Sequence, residues 1–156
     1  MQKITTFLWF DNQAEEAVNL YTSLFKNSRI LEISRYGEGA PLPAGTVMTV
    51  AFQLEGQEFM ALNGGPVFKF NEAMSLFVKC ETQAEVDRYW EALSAGGEVQ
   101  QCGWLKDRFG VSWQIIPTIL LRYISDKDPQ KSQAVMQAML KMKKIDVSLV
   151  EKAYQG

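Results

Sequence analysis

The chain of 156 residues contains no histidine, and that gap excludes more chemistry than any residue present suggests. Imidazole is the commonest general base at neutral pH and the commonest metal ligand, so Ser-His-Asp triads, Cys-His pairs and H-E-x-x-H zinc sites are all ruled out. Cysteine is almost as scarce. Cys80 and Cys102 stand far apart and form no C-x-x-C or zinc spacing, which reads as two small core residues. No apolar run approaches the ~20 residues that span a bilayer. The N-terminus leads into a strand-like segment without the regions of a signal peptide, so a cytoplasmic protein with no membrane partner is expected. The 16 Lys and Arg are outnumbered by 18 Asp and Glu. The clustered basic surface that phosphates require is therefore missing, and no nucleic-acid partner is expected. One basic run, Lys141, Lys143 and Lys144, reads as the solvated face of a helix.

What remains is an ordinary apolar content, 47% hydrophobic and 22% charged, enough for one domain over residues 1–156 without a disulfide or structural metal. Ile4 to Phe10 is β-branched and aromatic, a strand. Asn12 follows as an N-cap with Glu15 three places on, and Ala14, Ala17, Val18, Tyr21 and Leu24 then recur at helical spacing, predicting a helix from Gln13 to Phe25. Three strand-like stretches come next, Ile30 to Tyr36, Thr46 to Leu54 and Gln57 to Leu62, separated by glycine- and proline-rich breaks and by the Glu55-Gly56 turn. The order then repeats. Met74 to Cys80 is a strand, Thr82 and Glu85 form a capping box, Val86, Trp90 and Leu93 mark a helix, and Gly96-Gly97 ends it. Strand-like pieces follow at Glu98 to Cys102, Trp104 to Lys106 and Val111 to Ile116.

Residues 5–15 align with residues 75–85 without a gap. Phe7 matches Phe77, Gln13 matches Gln83, Ala14 matches Ala84 and Glu15 matches Glu85, which points to an internal duplication. The fold class is accordingly α+β, two tandem βαβββ modules (residues 1–66 and 70–117) forming curved mixed sheets around a cavity. After Pro117 the pattern is helical only. Asp128-Pro129 starts a helix whose stripe is Val135, Ala138, Met139 and Met142, widened by Met136 and Leu140, and Asp146 caps a last helix through Ala153. This appendage, residues 118–156, is expected to pack on the sheets, with a homodimer contact through its methionines as the alternative.

The doubled pattern, with the segments F-L-W-F-D-N-Q-A-E-E-A-V-N-L-Y (7–21), F-M-A-L-N-G-G (59–65) and V-M-Q-A-M-L-K-M-K-K-I-D (135–146), resembles the vicinal oxygen chelate superfamily of glyoxalases, bleomycin-resistance proteins and extradiol dioxygenases. It is most similar to the PhnB-like branch, which has carried the label of a demethylubiquinone methyltransferase-like domain. The resemblance implies that metal-dependent members place one ligand on the first and one on the last strand of each module, typically His, Glu or Gln. Carried over, those positions are Thr5, Ser75, Gln114 and Met60, the last with a slip to Ala61 left open. Two hydroxyls, a thioether and a neutral amide bring no charge to offset the desolvation of a divalent ion, so no metal is expected. No cofactor is expected either, because neither strand-helix junction carries the glycines of a nucleotide cradle.

If period-two alternation sets the inward faces, Thr5, Phe7 and Trp9 share one face, Ser75 and Phe77 its counterpart, and Met60, Leu62, Gln114 and Ile116 line the last strands. Asn63 and Trp104 lie at strand ends or turns, reaching a ligand at the rim or serving the turn itself. The result is an apolar, aromatic pocket with a few neutral polar groups, fit for a small molecule; alternatively, these side chains fill the core. Glu58, Asp107 and Glu81 fall at turns or edges and are expected to face solvent, so no catalytic residue is assigned. The implied function is a metal-independent small-molecule-binding protein of the glyoxalase/bleomycin-resistance type, its ligand apolar or aromatic. The alternatives are a lyase, isomerase or dioxygenase-like enzyme with a weakly held divalent metal, and a helix-mediated interaction protein.

Overall fold

The computed structural model describes residues 2–156 and divides into two compact units, the first ending at Phe70 and the second running Asn71–Gly156. The fold class is the expected α+β, two four-stranded mixed sheets with five helices.

In the first unit, β1 (Thr6–Phe10), α1 (Ala14–Leu24), β2 (Arg29–Arg35), β3 (Val47–Leu54) and β4 (Gln57–Asn63) form a sheet of order β1-β4-β3-β2. β1 runs parallel to β4, and the other pairs are antiparallel. A helix covering one side of a sheet imposes alternation on the strands beneath it. Leu8, Phe10, Val50, Phe52, Leu54, Phe59 and Ala61 are accordingly buried, as is the α1 face of Ala14, Ala17, Val18, Tyr21 and Leu24. Full burial contributes about 1.5–3 kcal/mol for each of the larger side chains. The Glu55-Gly56 hairpin has both residues at positive φ, 49° and 80°, as a two-residue turn between twisted strands requires. Asn12 does not cap α1. Gln13 stands at the N-cap without a side-chain bond, and the Ala14 N–H donates instead to Asn63 Oδ1 at 2.8 Å.

The second unit repeats this with β5 (Leu76–Cys80), α2 (Gln83–Ser94), β6 (Glu98–Val99), β7 (Trp104–Lys106) and β8 (Ser112–Pro117) in the order β5-β8-β7-β6, β5 parallel to β8. The first strands of the two units, Thr6–Phe10 and Leu76–Cys80, keep the repeat offset along their whole length. Phe7 lies beside Met60 and Phe77 beside Gln114, so Met60 rather than Ala61 is the counterpart of Gln114. Thr82 caps α2 by accepting from the Glu85 N–H at 3.2 Å, and Glu85 Oε1 takes the Glu81 N–H at 3.0 Å. β6 stops at Val99, well short of Cys102. Cys102 turns to φ 60°, and its N–H and that of Gly103 donate to Met142 O and Lys143 O. Bonds to the tail thus replace a strand ladder, and Cys102 is a half-buried turn residue rather than core.

The tail helices α3 (Thr118–Ile124), α4 (Pro129–Leu140) and α5 (Val147–Gln155) belong to the second unit. Asp128 accepts from Gln130 N and Asp146 from Ser148 N and Leu149 N, the expected caps. Ile116, Leu120, Val135, Met142, Ile145 and Val150 form their core. Met142 reaches that core from beyond the end of α4, Leu140 is exposed, and the Lys141 to Lys144 run lies past the helix rather than along it. Tyr154 locks the end of the chain. Its hydroxyl donates to Asp126 Oδ2 at 2.6 Å, its ring stacks on Tyr123 at 3.8 Å, and Lys131 Nζ donates to its carbonyl at 3.0 Å.

The Tyr154 hydroxyl, then the Asp128 N–H, hold the Asp126 carboxyl below its ordinary 3.8. A depressed carboxyl contributes stability that is present above its unfolded value and lost as pH falls through the folded one. Tyr154→Phe is therefore expected to lower the urea midpoint modestly at pH 7 and to leave a smaller drop than wild type between about pH 5 and roughly pH 2. Parallel pH-dependent slopes for the two proteins would contradict this.

Candidate functional site

Each sheet has one face under its helix and one face left open by it. In the first unit the register builds the open face in two rows, Phe7-Met60-Ala51-Glu32 and Trp9-Leu62-Thr49-Ser34. Phe7 is 53% exposed, and Thr5, exposed, precedes it on the same strand direction. The Ser34 and Thr49 hydroxyls are bonded to each other. Trp9 is half-buried and pinned, its Nε1 donating to Gly65 O at 2.9 Å and its ring meeting Phe68 edge-on at 4.9 Å. Gly64 lies against the indole so closely that a Cβ there would stand 2.4 Å from two ring atoms and 2.9 Å from a third. Distances that short to three adjacent ring atoms place the Cβ position over the face of the indole, not at its edge. Phe68 itself is 62% exposed.

In the second unit the corresponding row is Phe77-Gln114-Trp104. Gln114 Nε2 donates to Ser75 Oγ at 2.9 Å, Phe77 is 44% exposed and Trp104 is half-buried. Lys79 follows Phe77 on the same face of β5. Ile116, expected to line this face, belongs to the buried cluster of the tail helices instead. Ser112, two residues before Gln114, is buried with no hydrogen-bond partner for its hydroxyl.

Asn63 faces the other way. It is 4% exposed, and its amide is engaged by Ala14 N and by Val47 O at 3.1 Å, which places it in the core under α1 and not at the rim of the open face. Asp107, expected in solvent, is 2% exposed. Its oxygens accept from the N–H groups of Phe109 and Val111 and from Trp113 Nε1, at 2.9, 3.0 and 2.9 Å, so the carboxylate organises the β7-β8 turn. Asp107-Arg108-Phe109-Gly110 carried the turn signal, but nothing local announced the indole six residues from Asp107. Glu58 and Glu81 are exposed as expected.

The residues at the four positions of a family metal site do not fit a divalent ion. Hydroxyl, thioether and amide donors supply no negative charge. Among the described residues no three His, Cys, Asp or Glu lie close enough together to hold one. Burial, then the Glu85 and Glu81 charges, pushes the Cys80 thiol up to about 12, so Cys80 offers no thiolate near neutrality. At each helix that follows a first strand one N-terminal N–H is already taken, that of Ala14 by Asn63 in α1 and that of Glu85 by Thr82 in α2. A groove of about 400 Å³ between α2 and α5 is lined by Gln83, Asp87, Lys144 and Asp146 among others. Lys144 pairs with Asp87 at 2.9 Å, Gln83 donates to Asp87 and to Ile145 O and accepts from Val147 N, and Asp146 is taken up in capping α5. No helix among the described residues is long and apolar enough to cross a membrane.

The family model described as 3-demethylubiquinone-9 3-methyltransferase matches residues 2–116. A Bacillus cereus PhnB protein, itself described as a putative 3-demethylubiquinone-9 3-methyltransferase, is 46% identical. The match covers 74% of this chain and 99% of that one, with a TM-score of 0.70. A Pseudomonas aeruginosa protein is 23% identical over 75% of this chain and 98% of its own, TM-score 0.62. The fosfomycin resistance protein FosX of Listeria monocytogenes, solved with Mn(II) and sulfate, is 17% identical over 72% and 90%, TM-score 0.51, a likeness of fold alone. No curated protein matches the chain significantly. With a family match that spans both sheets and a relative nearly half identical to it, the chain belongs to the PhnB-like family described as 3-demethylubiquinone-9 3-methyltransferase.

Proposed function

We propose that this protein binds apolar or aromatic small molecules without a metal, on the open faces of its sheets. The observation that supports this best is the exposure of Phe7 and Phe77 at equivalent positions of the two units, 53% and 44%. Side chains that merely filled a core would be sequestered, whereas aromatic rings displayed beside Met60, Leu62, Trp104 and the neutral Ser75-Gln114 pair have the make-up of a ligand surface. Methyl transfer, the activity in the family's description, finds no support at either strand-helix junction, since neither Phe10 to Gln13 nor Cys80 to Gln83 carries the glycines of a nucleotide cradle.

The test is a thermal-shift and native mass-spectrometric screen of aromatic compounds against the full chain in EDTA. A ligand at about 100 times its Kd should stabilise the fold by about 2.7 kcal/mol. Phe77→Ala is expected to weaken a ligand of the second sheet about fivefold, the loss of roughly 1 kcal/mol of contact. Binding that appears only when divalent ions are added would replace this function with the metal-dependent one.

A further inference from the structure

We propose that the open face of the second sheet selects planar aromatic carboxylates, with Lys79 as the residue that reads the charge; this rests on the binding role proposed above. The alternation of β5 puts Phe77 and Lys79 on one face, with Leu76, Val78 and buried Cys80 on the other, and Ser75, just before the strand, joins the first face through its bond from Gln114. Lys79 is exposed and has no carboxylate within ion-pair distance among the described residues. The other lysine of this face, Lys106, is already paired with Glu72 at 3.3 Å and lies beside Glu98 in the register. One cation is thus neutralised within the protein while the other stands free next to the aromatic row.

The remaining groups of the face agree with an anion. Gln114 gives one N–H to Ser75 Oγ, so its second N–H and the Ser75 O–H are left to donate outward, and Lys79 adds an ammonium. Donors of this kind, one of them charged, match carboxylate oxygens. Phe77 and Trp104 flank Gln114 on the strands either side of it, which sets their backbones about 10 Å apart, two strand spacings. That gap admits one flat ring between two aromatic walls, with Gln114 as the floor. In the first unit the position equivalent to Lys79 is Trp9, which is pinned against Gly64, so the charge preference belongs to the second sheet alone.

Naphthalene-2-carboxylate and its neutral counterpart 2-naphthamide are titrated calorimetrically into the full chain at low salt in EDTA, with wild type, Lys79→Gln and Lys79→Arg. Wild type is expected to bind the carboxylate roughly fivefold more tightly, the upper end of what an exposed ion pair provides. Lys79→Gln should abolish the preference while leaving naphthamide affinity and thermal stability unchanged, and Lys79→Arg should keep it. A wild-type ratio of about twofold or less, or a preference that survives Lys79→Gln, overturns the assignment. Naphthamide binding without a preference would defeat this inference and leave the binding role intact, whereas no binding of either probe at any concentration would count against both.

Discussion

Asp107→Ala is expected to cost about 3–5 kcal/mol, more than any other single change considered for this fold. The carboxylate is almost wholly buried and accepts three hydrogen bonds, two from the backbone of the turn and one from the Trp113 indole. Removing it strands the buried Val111 N–H and Trp113 indole N–H and leaves the half-buried Phe109 N–H without its acceptor, and each buried unsatisfied donor costs about 1–3 kcal/mol. Asp107→Asn keeps the shape, but presents an N–H₂ group where at least one acceptor is needed, so it should fall between wild type and alanine. Urea unfolding measures both. A double-mutant cycle with Trp113→Phe isolates the indole bond. With the indole already replaced by a phenyl ring, Asp107→Ala should cost less by about 1.5–3 kcal/mol, the range of a hydrogen bond to a charged group. Additive losses would mean that the turn, and not the indole, carries the effect. The site depends on this indirectly, since Gln114 lies next to Trp113 on β8 and takes its register from the same turn.

The duplicated fold was legible because the signals that specify it are local. Period-two alternation set the faces of β1 and β5, Thr82, Asp128 and Asp146 marked helix starts, and Glu55-Gly56 a hairpin. Where the expectation failed, a distant group had displaced a local one. Asn12 has the right chemistry and spacing for a cap, yet Asn63, 49 residues from Ala14, holds the first N–H of the helix. β6 is shortened by tail carbonyls near Met142 that no neighbouring residue foreshadows. The candidate face was legible to the same extent. Phe7 with Met60, and Phe77 with Gln114 and Trp104, do share faces, because alternation and the repeat both fix them. Ile116 obeys the alternation, but tail helices added after the second module bury it. The sequence pattern does not single out Lys79, although its spacing from Phe77 is the spacing of Phe77 from Ser75. Charge on an edge strand ordinarily marks a solvated face, and only the pairing of Lys106 with Glu72 shows which of the two lysines is free.

Gly64→Ala is the second large effect, expected to destabilise by about 2–4 kcal/mol and to disturb the first sheet's open face at once. Gly64 is not held at a φ that only glycine favours, so the cost is steric: the new methyl would overlap the face of the Trp9 indole. Overpacking of this kind costs about 1–3 kcal/mol, and a displaced indole also loses the bond from Nε1 to Gly65 O, worth about 1 kcal/mol. Trp9 further orders the segment after β4, because Phe68 rests edge-on against it. The substitution should therefore lower the urea midpoint and shift tryptophan emission toward that of a solvated indole, with little change in far-UV dichroism. Trp9→Phe provides the decisive background. A phenyl ring leaves room above Gly64 and has no N–H to lose, so Gly64→Ala on that background should cost about 1 kcal/mol or less, what it takes to fit a methyl beside a smaller ring. An equal cost with and without the indole would show that Gly64 is required by the backbone path itself, and the pinned tryptophan would lose its place as the organiser of that face.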